Sequence, residues 1–156
     1  MSLLEYNERY RGLPQKLLNA LLSGQLGQSY IFSGDSIDEL NSFANSWMTS
    51  IVCREISAEG ACGSCRNCKL MASSNYSELY TLEPASKSRT ILVKELREFQ
   101  KRFFYKSDSS IKKIGIIIEA DRMQVAAQNA FLKSLEEPPV DTVFILLTTR
   151  VDALLN

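Results

Sequence analysis

Short apolar runs of strand length alternate with longer segments of helical periodicity along this chain. Apolar runs at 29–33, 79–82, 114–119 and 142–148 predict strands. Apolar residues recur every three or four positions at 13–22, 36–52, 92–103 and 124–136, which predicts helices. Buried strands that alternate with helices form mostly parallel sheets covered on both faces. The pattern therefore predicts an α/β fold with helices flanking a parallel sheet.

Size and charge limit what this fold can do. The 156 residues are 45% hydrophobic, which suffices for one domain with a proper core and at most a small appended module. Eighteen basic residues balance eighteen acidic ones, so no net field would steer the chain onto nucleic acid or an anionic membrane. Any contact with a polyanion must be local.

The two ends of the chain give expectations about location and completeness. Glu5, Arg9 and Arg11 lie where a signal peptide would be apolar, and no apolar stretch approaches about eighteen residues. We therefore expect a soluble, cytoplasmic protein with no membrane partner. The last residues, 144–156, have the pattern of a strand followed by the opening of a helix, so we expect the chain to be a fragment of a longer protein.

The cysteines form a single cluster in the sequence. They are Cys53, Cys62, Cys65 and Cys68, with the spacing C-x8-C-x2-C-x2-C. Because the chain has no histidine, a tetrahedral metal site in this segment needs all four thiolates, which is the ligand set that structural zinc prefers. The spacing therefore predicts a zinc-binding insertion over 53–68.

Other states of the four cysteines remain open at this point. Disulfides would allow three connectivities, but they are disfavoured in a chain without a secretion signal. An iron–sulfur cluster also takes four cysteines, and buried free thiols are a further possibility. Because a four-thiolate zinc site has no open coordination position, the predicted role is structural.

The letters GDSIDELN follow the first predicted strand, where nucleotide-binding proteins place a phosphate-binding loop. Counted from Gly34, the second glycine, the lysine and the hydroxyl of G-x-x-x-x-G-K-[ST] are replaced by Glu39, Leu40 and Asn41. The lysine that would reach the phosphates is absent, and the acidic side chains repel a triphosphate. The segment is either a degenerate phosphate loop or an ordinary strand–helix turn, in which Ser36 and Glu39 fit a capping box.

The segment 112–150 reads KKIGIIIEADRMQVAAQNAFLKSLEEPPVDTVFILLTTR. Its acid-ended apolar strand, its helix carrying NAFLKSLEEPP and its strand ending in TT strongly resemble the AAA+ core of bacterial DNA polymerase III clamp-loader subunits. The similarity extends from about residue 8 to the last residue, and it includes the four-cysteine spacing and LYTLEP at 79–84. Within this family the chain is most similar to the N-terminal domain of the delta-prime type of subunit.

The resemblance implies roles for residues at the ends of the last two strands. The Walker B aspartate position aligns with Glu119 and the adjacent catalytic glutamate position with Ala120, so no side chain there would orient an attacking water. Asp121 would lie on a strand that points it away from that spot. Thr148 and Thr149 match the sensor 1 position.

The resemblance also implies a function. The chain, 1–156 as one AAA+ domain with the zinc insertion, would be a non-hydrolysing subunit of the ring that loads the sliding clamp onto primed DNA. Its partners would be the gamma/tau and delta subunits within the polymerase III holoenzyme, with the sliding clamp and primed DNA contacted through the assembly, and ATP would be bound by neighbouring subunits. Its cofactor would be structural zinc, with no ATP. A trans-acting arginine is expected beyond residue 156.

Two other functions compete with this one. An active clamp-loader ATPase of the gamma/tau type would need an unconventional phosphate loop, which the absent lysine opposes. A stand-alone zinc module that binds nucleic acid would need aromatic side chains among its cations for base stacking, and the cysteine segment has none. An extended basic patch on the folded surface would favour that function. In the helix at 124–136, we predict that Leu132 and Leu135 belong to the core.

Overall fold

Parallel strands and helices alternate along the chain, which confirms the α/β prediction. The computed structural model describes residues 2–85, 87–105 and 111–154. Within these ranges the strands are β1 (Ser29–Ser33), β2 (Leu79–Leu82), β3 (Lys113–Ile118) and β4 (Thr142–Thr148), which form one parallel sheet in the order β1-β4-β3-β2. The helices are α1 (Leu13–Leu22), α2 (Ile37–Val52), α3 (Arg66–Ala72), α4 (Val93–Lys101), α5 (Val125–Glu136) and α6 (Val151–Leu154), with 3-10 turns at Leu3–Tyr6 and Ala120–Arg122.

The two central strands carry the core of the sheet. Every residue of β4 is buried, and so is every residue of β3 except the last. Such continuous apolar strands are typical of a parallel sheet that is covered on both faces. Helices α4 and α5 pack against it, and the rings of Phe99, Phe103 and Phe131 lie around Phe144 of β4.

Element boundaries differ from the sequence prediction where a side chain has a tertiary partner. The strand predicted at 114–119 ends one residue early, because Glu119 adopts a left-handed backbone conformation with φ 56°. The helix predicted at 92–103 ends at Lys101, and Phe103 turns into the core instead. The short helix α3 was not predicted, since its seven residues lie inside the cysteine segment.

Contacts between Cα atoms divide the chain into two units. One contains Met1–Gly27 and Ser42–Ser77, and therefore the cysteines with α1, α3 and most of α2. The other contains Gln28–Asn41 and Glu78–Asn156, and therefore the sheet with α4, α5 and α6. None of the helices that the structure describes combines the length and the apolar composition needed to cross a membrane.

Candidate functional site

The four cysteines are brought together by the end of one helix and the start of another. Cys53 follows the last residue of α2, Cys62 and Cys65 flank a two-residue turn, and Cys68 lies in the first turn of α3. Cys65 is the N-cap of α3, where its Sγ accepts the backbone N–H of Cys68 at 3.4 Å. Local helix capping therefore positions two of the four sulfur atoms.

The sulfur atoms have the spacing of a tetrahedral metal site. All four Sγ atoms lie within 4.8 Å of one another, and those of Cys62 and Cys68 are 3.9 Å apart. Zn–S bonds of about 2.3 Å in a tetrahedron give an S···S edge of about 3.8 Å. All four cysteines are free, which is inconsistent with the disulfide alternative. The group could hold a metal ion, and it fits zinc.

Backbone N–H groups point at the sulfur atoms and favour the thiolate form. The N–H groups of Ser64 and Cys65 donate to Cys62 Sγ at 3.4 and 3.2 Å, and they lower the pKa of Cys62 to about 6. The N–H of Cys62 donates to Cys53 Sγ at 3.3 Å, yet burial raises the pKa of Cys53, and it also raises the pKa of Cys68. A positive ion among them would offset this burial, because metals bind the deprotonated sulfur.

A side-chain hydrogen bond ties the two helices at the cluster together. The Nδ2 of Asn67, in α3, donates to the carbonyl oxygen of Val52 at 2.7 Å. Val52 is the last residue of α2, so this bond satisfies a terminal carbonyl that has no partner within its own helix. It also fixes the backbone immediately before Cys53.

The segment after β1 is a short connection into α2. Only Gly34, Asp35 and Ser36 separate the strand from the helix. Ser36 is the N-cap, since its Oγ accepts the N–H of Glu39 at 3.3 Å and its carbonyl accepts the N–H of Leu40 at 3.0 Å. The predicted serine cap is confirmed, and two N–H groups that a phosphate loop would turn towards its ligand are engaged within the helix.

Leu40 occupies the position at which a phosphate loop carries lysine. It is 4% exposed, and a Cβ built on Gly34 would lie 3.2 Å from Leu40 Cδ2. The leucine therefore packs over Gly34, whereas Glu39 and Asn41 on either side of it face solvent.

Glu119 and Ala120 lie just beyond the carboxyl end of β3. Glu119 Oε2 is 2.6 Å from a guanidinium nitrogen of Arg89, and the other terminal nitrogen of Arg89 donates to the carbonyl oxygen of Pro84 at 3.1 Å. Both Arg89 and Glu119 have φ 56°, a conformation that costs most residues about 1–2 kcal/mol. Ala120 is fully buried.

Asp121 contacts the sensor position, and its predicted location on a strand is wrong. It lies in the 3-10 turn after β3 rather than on a strand, and its Oδ1 accepts the hydroxyl of Thr148 at 2.7 Å. The Thr148 hydroxyl also accepts the N–H of Arg150 at 2.9 Å, and the Thr148 carbonyl accepts the N–H of Gly34 at 3.3 Å. Thr148 thus links the ends of three segments, while Thr149 faces solvent.

One predicted core residue lies at the surface. Leu132 is 50% exposed, so its assignment to the core is wrong, whereas Leu135 packs partly buried against the core. Leu132 lines a groove of about 310 Å³ together with Ile31 and Val125. The error arises because helical periodicity marks an apolar face without specifying how much of that face another element covers.

The comparisons with known proteins agree with one another. The family model described as "DNA polymerase III, delta subunit" matches residues 11–156. The DNA polymerase III subunit delta' of Pseudomonas aeruginosa is 32% identical over 143 residues, which are 90% of this chain and 44% of the relative. That of Bacillus subtilis is 34% identical over 152 residues, which are 97% of this chain and 45% of the relative. The chain spans less than half the length of these relatives.

A solved structure has the same fold. The DNA polymerase III gamma subunit-related protein of Thermotoga maritima superposes with a TM-score of 0.64 at 21% identity, and it covers 89% of this chain and 40% of its own. At that identity the likeness supports the fold alone.

Proposed function

The chain belongs to the DNA polymerase III delta-subunit family and is a clamp-loader-related subunit of the delta-prime type, and on that premise we propose that it neither binds nor hydrolyses ATP. Its role is that of a structural subunit in the ring that loads the sliding clamp onto primed DNA. The gamma/tau and delta subunits are its partners, and ATP bound by neighbouring subunits drives the loading. The chain acts in the cytoplasm as part of the polymerase III holoenzyme.

The packing of Leu40 carries this proposal. A working phosphate loop needs a lysine ammonium near the β and γ oxygens and a run of backbone N–H groups free to bind them. Here the lysine position is an apolar side chain that packs over Gly34. The N–H groups of Glu39 and Leu40 are bonded to Ser36, so neither the charge nor these donors are available to a phosphate.

Two further features support the absence of hydrolysis. Ala120, at the position of the catalytic glutamate, has no group that could orient a water, and it is buried. The Glu119 carboxylate beside it is paired with the Arg89 guanidinium, which competes with a magnesium ion for the same oxygen. We infer that Leu40, Glu119 and Ala120 belong to a degenerate nucleotide site and that they stabilise the carboxyl end of the sheet.

The zinc proposal rests on the sulfur geometry. The thiolates of Cys53, Cys62, Cys65 and Cys68 would hold one ion and leave no position open for water or substrate, so zinc here would staple the end of α2 to the start of α3. It would supply folding free energy to this segment and no chemistry.

A titration with a fluorescent ATP analogue and magnesium tests the nucleotide proposal, with metal content measured on the same purified sample. We expect no binding and about one zinc per chain. Magnesium-dependent binding at micromolar concentration would overturn the proposal in favour of an active ATPase of the gamma/tau type. An active phosphate-loop ATPase in the same buffer shows that the analogue reports binding.

A charge variant distinguishes two reasons why ATP would not bind: repulsion by the acidic side chains, and the absence of the lysine and of free backbone donors. Asp38→Asn with Glu39→Gln removes two exposed carboxylates near the loop and leaves Leu40 in place. We expect this variant to bind no analogue either, because the missing donors and lysine decide the outcome. If it binds, then charge repulsion alone excludes the nucleotide, and the loop geometry is competent.

A further inference from the structure

Two aromatic side chains protrude from the turn that follows α4. Phe104 is 71% exposed and Tyr105 is 72% exposed. The preceding residue, Phe103, is buried, with its ring centroid 5.1 Å from Phe99 and 4.9 Å from Phe144. One ring of three consecutive aromatic residues therefore anchors the turn, and the next two face solvent. Adjacent exposed rings leave much apolar area in water, and such surfaces commonly bind a partner.

The turn is fixed in place by a buried lysine. Lys113 is 4% exposed, and its ammonium donates to the backbone carbonyl of Tyr105. A buried ammonium is costly without a partner, and here that partner is the backbone of the aromatic turn. The N–H of Lys113 also donates to the Asp141 carbonyl at 2.8 Å, so the turn is tied to the base of β3. The backbone beside the two exposed rings is thus bonded to a buried side chain of β3.

The surface around the rings is locally basic. The described segments KRFFY and IKK, at 101–105 and 111–113, contain four cations and no acid. Of these, Lys113 is buried and Arg102 lies over the ring of Tyr80 at 5.4 Å, so Lys101 and Lys112 are the lysines available to a ligand. Two carboxylates pair with these lysines: Glu98, in the same helix, lies 3.1 Å from the Lys101 ammonium, and Asp141, just before β4, lies 3.8 Å from that of Lys112. Such exposed pairs contribute little to stability, so a phosphate can replace the carboxylate at little cost.

We propose that the aromatic turn, defined as Phe104 and Tyr105 with the flanking Lys101 and Lys112, binds single-stranded nucleic acid. The two rings offer stacking platforms for unpaired bases, and the lysines contact the phosphates, which is the combination used by proteins that bind single strands without sequence preference. A duplex keeps its bases stacked on each other and offers the rings nothing. This site is independent of the nucleotide proposal, and either can fail alone.

Fluorescence anisotropy of a labelled oligothymidylate of about 20 nucleotides, titrated with the purified chain, tests the site. We expect binding at low salt that weakens as salt rises, since phosphate contacts release counterions. The matching blunt duplex should bind more weakly. Phe104→Ala and Tyr105→Ala should each weaken binding of the single strand about five-fold or more, given the contribution of one base–ring stack.

Matched controls separate stacking and local charge from general effects. Val125 is 72% exposed, and it begins α5 at the opposite, carboxyl end of the sheet, so Val125→Ala removes an exposed apolar group far from the turn. Lys94→Ala removes an exposed charge from the start of α4, whereas Lys112→Ala removes one beside the turn. Only Lys112→Ala should weaken binding and reduce its salt dependence. Tyr105→Phe keeps the ring and should bind like the original chain.

Several results would overturn the proposal. They are an absence of oligothymidylate binding at low salt, equal binding of single strand and duplex, or binding that is unchanged by both alanine variants. If no oligothymidylate binds, the exposed rings would instead fit a protein partner with an apolar pocket. Because both rings are exposed, the variants should unfold at the same temperature as the original chain, and this comparison excludes loss of folding as the cause.

Discussion

Gly115, in the middle of β3, is packed beneath three aromatic rings. A Cβ at this position would lie 2.6 Å from Phe103 Cζ and 2.9 Å from carbons of Phe99 and Phe144. Carbon atoms in favourable contact are about 3.5–4.0 Å apart. The absence of a side chain at this residue therefore allows the aromatic core to close on the strand, and with it the inward turn of Phe103.

We predict that Gly115→Ala destabilises the sheet by about 1–3 kcal/mol, because rings that are packed on several sides must move. Urea unfolding followed by circular dichroism measures the change. Gly34→Ala is the matched control, since its new Cβ would meet the flexible end of Leu40 at 3.2 Å and should cost less. If both variants lost the same free energy of unfolding, the explanation by ring packing around Gly115 would be contradicted.

The hydroxyl of Thr148 stabilises the carboxyl end of β4 through a partly buried hydrogen bond. Thr148 is fully buried, and its donor goes to the Asp121 carboxylate. We predict that Thr148→Val lowers the free energy of unfolding by about 1–3 kcal/mol, because the valine leaves that carboxylate oxygen without its partner. Thr148→Ser keeps the hydroxyl and should retain most of the stability. A valine variant as stable as the serine variant would show that the hydrogen bond contributes nothing.

At the scale of elements, the contact between α2 and α3 decides how well the cysteine cluster is pre-formed. Asn67→Ala removes the bond to the Val52 carbonyl. We predict about ten-fold weaker zinc binding, by analogy with the loss of groups that support metal ligands from outside the coordination shell. Competition with a chromogenic chelator measures the affinity.

Asn75 provides the control for this variant. It lies in the same unit, and its side chain makes only an exposed bond to Ser73 Oγ at 3.1 Å among the hydrogen bonds described for it. Asn75→Ala should leave zinc affinity unchanged. An equal loss in both variants would point to general destabilisation of the unit, and an unchanged affinity in Asn67→Ala would remove the supporting role of the bond.

The strands and most helices of the fold could be predicted from the sequence, whereas α3 could not. Its start depends on Cys65 acting as N-cap, and in sequence Cys65 is distinguished only as a metal ligand. Its seven residues, RNCKLMA, are too few to establish a helical period. The end of β3 was also predicted incorrectly, because it depends on a distant contact. Glu119 lies outside the strand and pairs with Arg89, thirty residues earlier in the chain.

At the scale of the whole molecule, we predict that zinc removal acts on one unit and spares the other. Chelation should abolish the hydrogen-exchange protection of amides in α3 and around the cysteines, because the buried thiols lose the ion that organises them. Amides of β3 and β4 should stay protected, since their bonds lie within the sheet. Loss of protection throughout the sheet would contradict this independence, and protection that survives around the cysteines would contradict the structural role of zinc.

The sequence by itself determined the alternation of strands and helices, the four-cysteine ligand set and the replacement of the phosphate-loop lysine by Leu40. These features follow from periodicity, ligand spacing and residue identity, which are local properties of a chain. Only the tertiary structure decided that Asp121 meets Thr148, that Arg89 pairs with Glu119, and that Phe103 is buried while the next two rings are exposed. These contacts depend on strand order. Adjacent parallel strands bring their carboxyl ends together. Asp121 and Thr148, 27 positions apart, and Arg89 and Glu119, 30 positions apart, therefore become neighbours, and a local sequence pattern cannot predict such contacts.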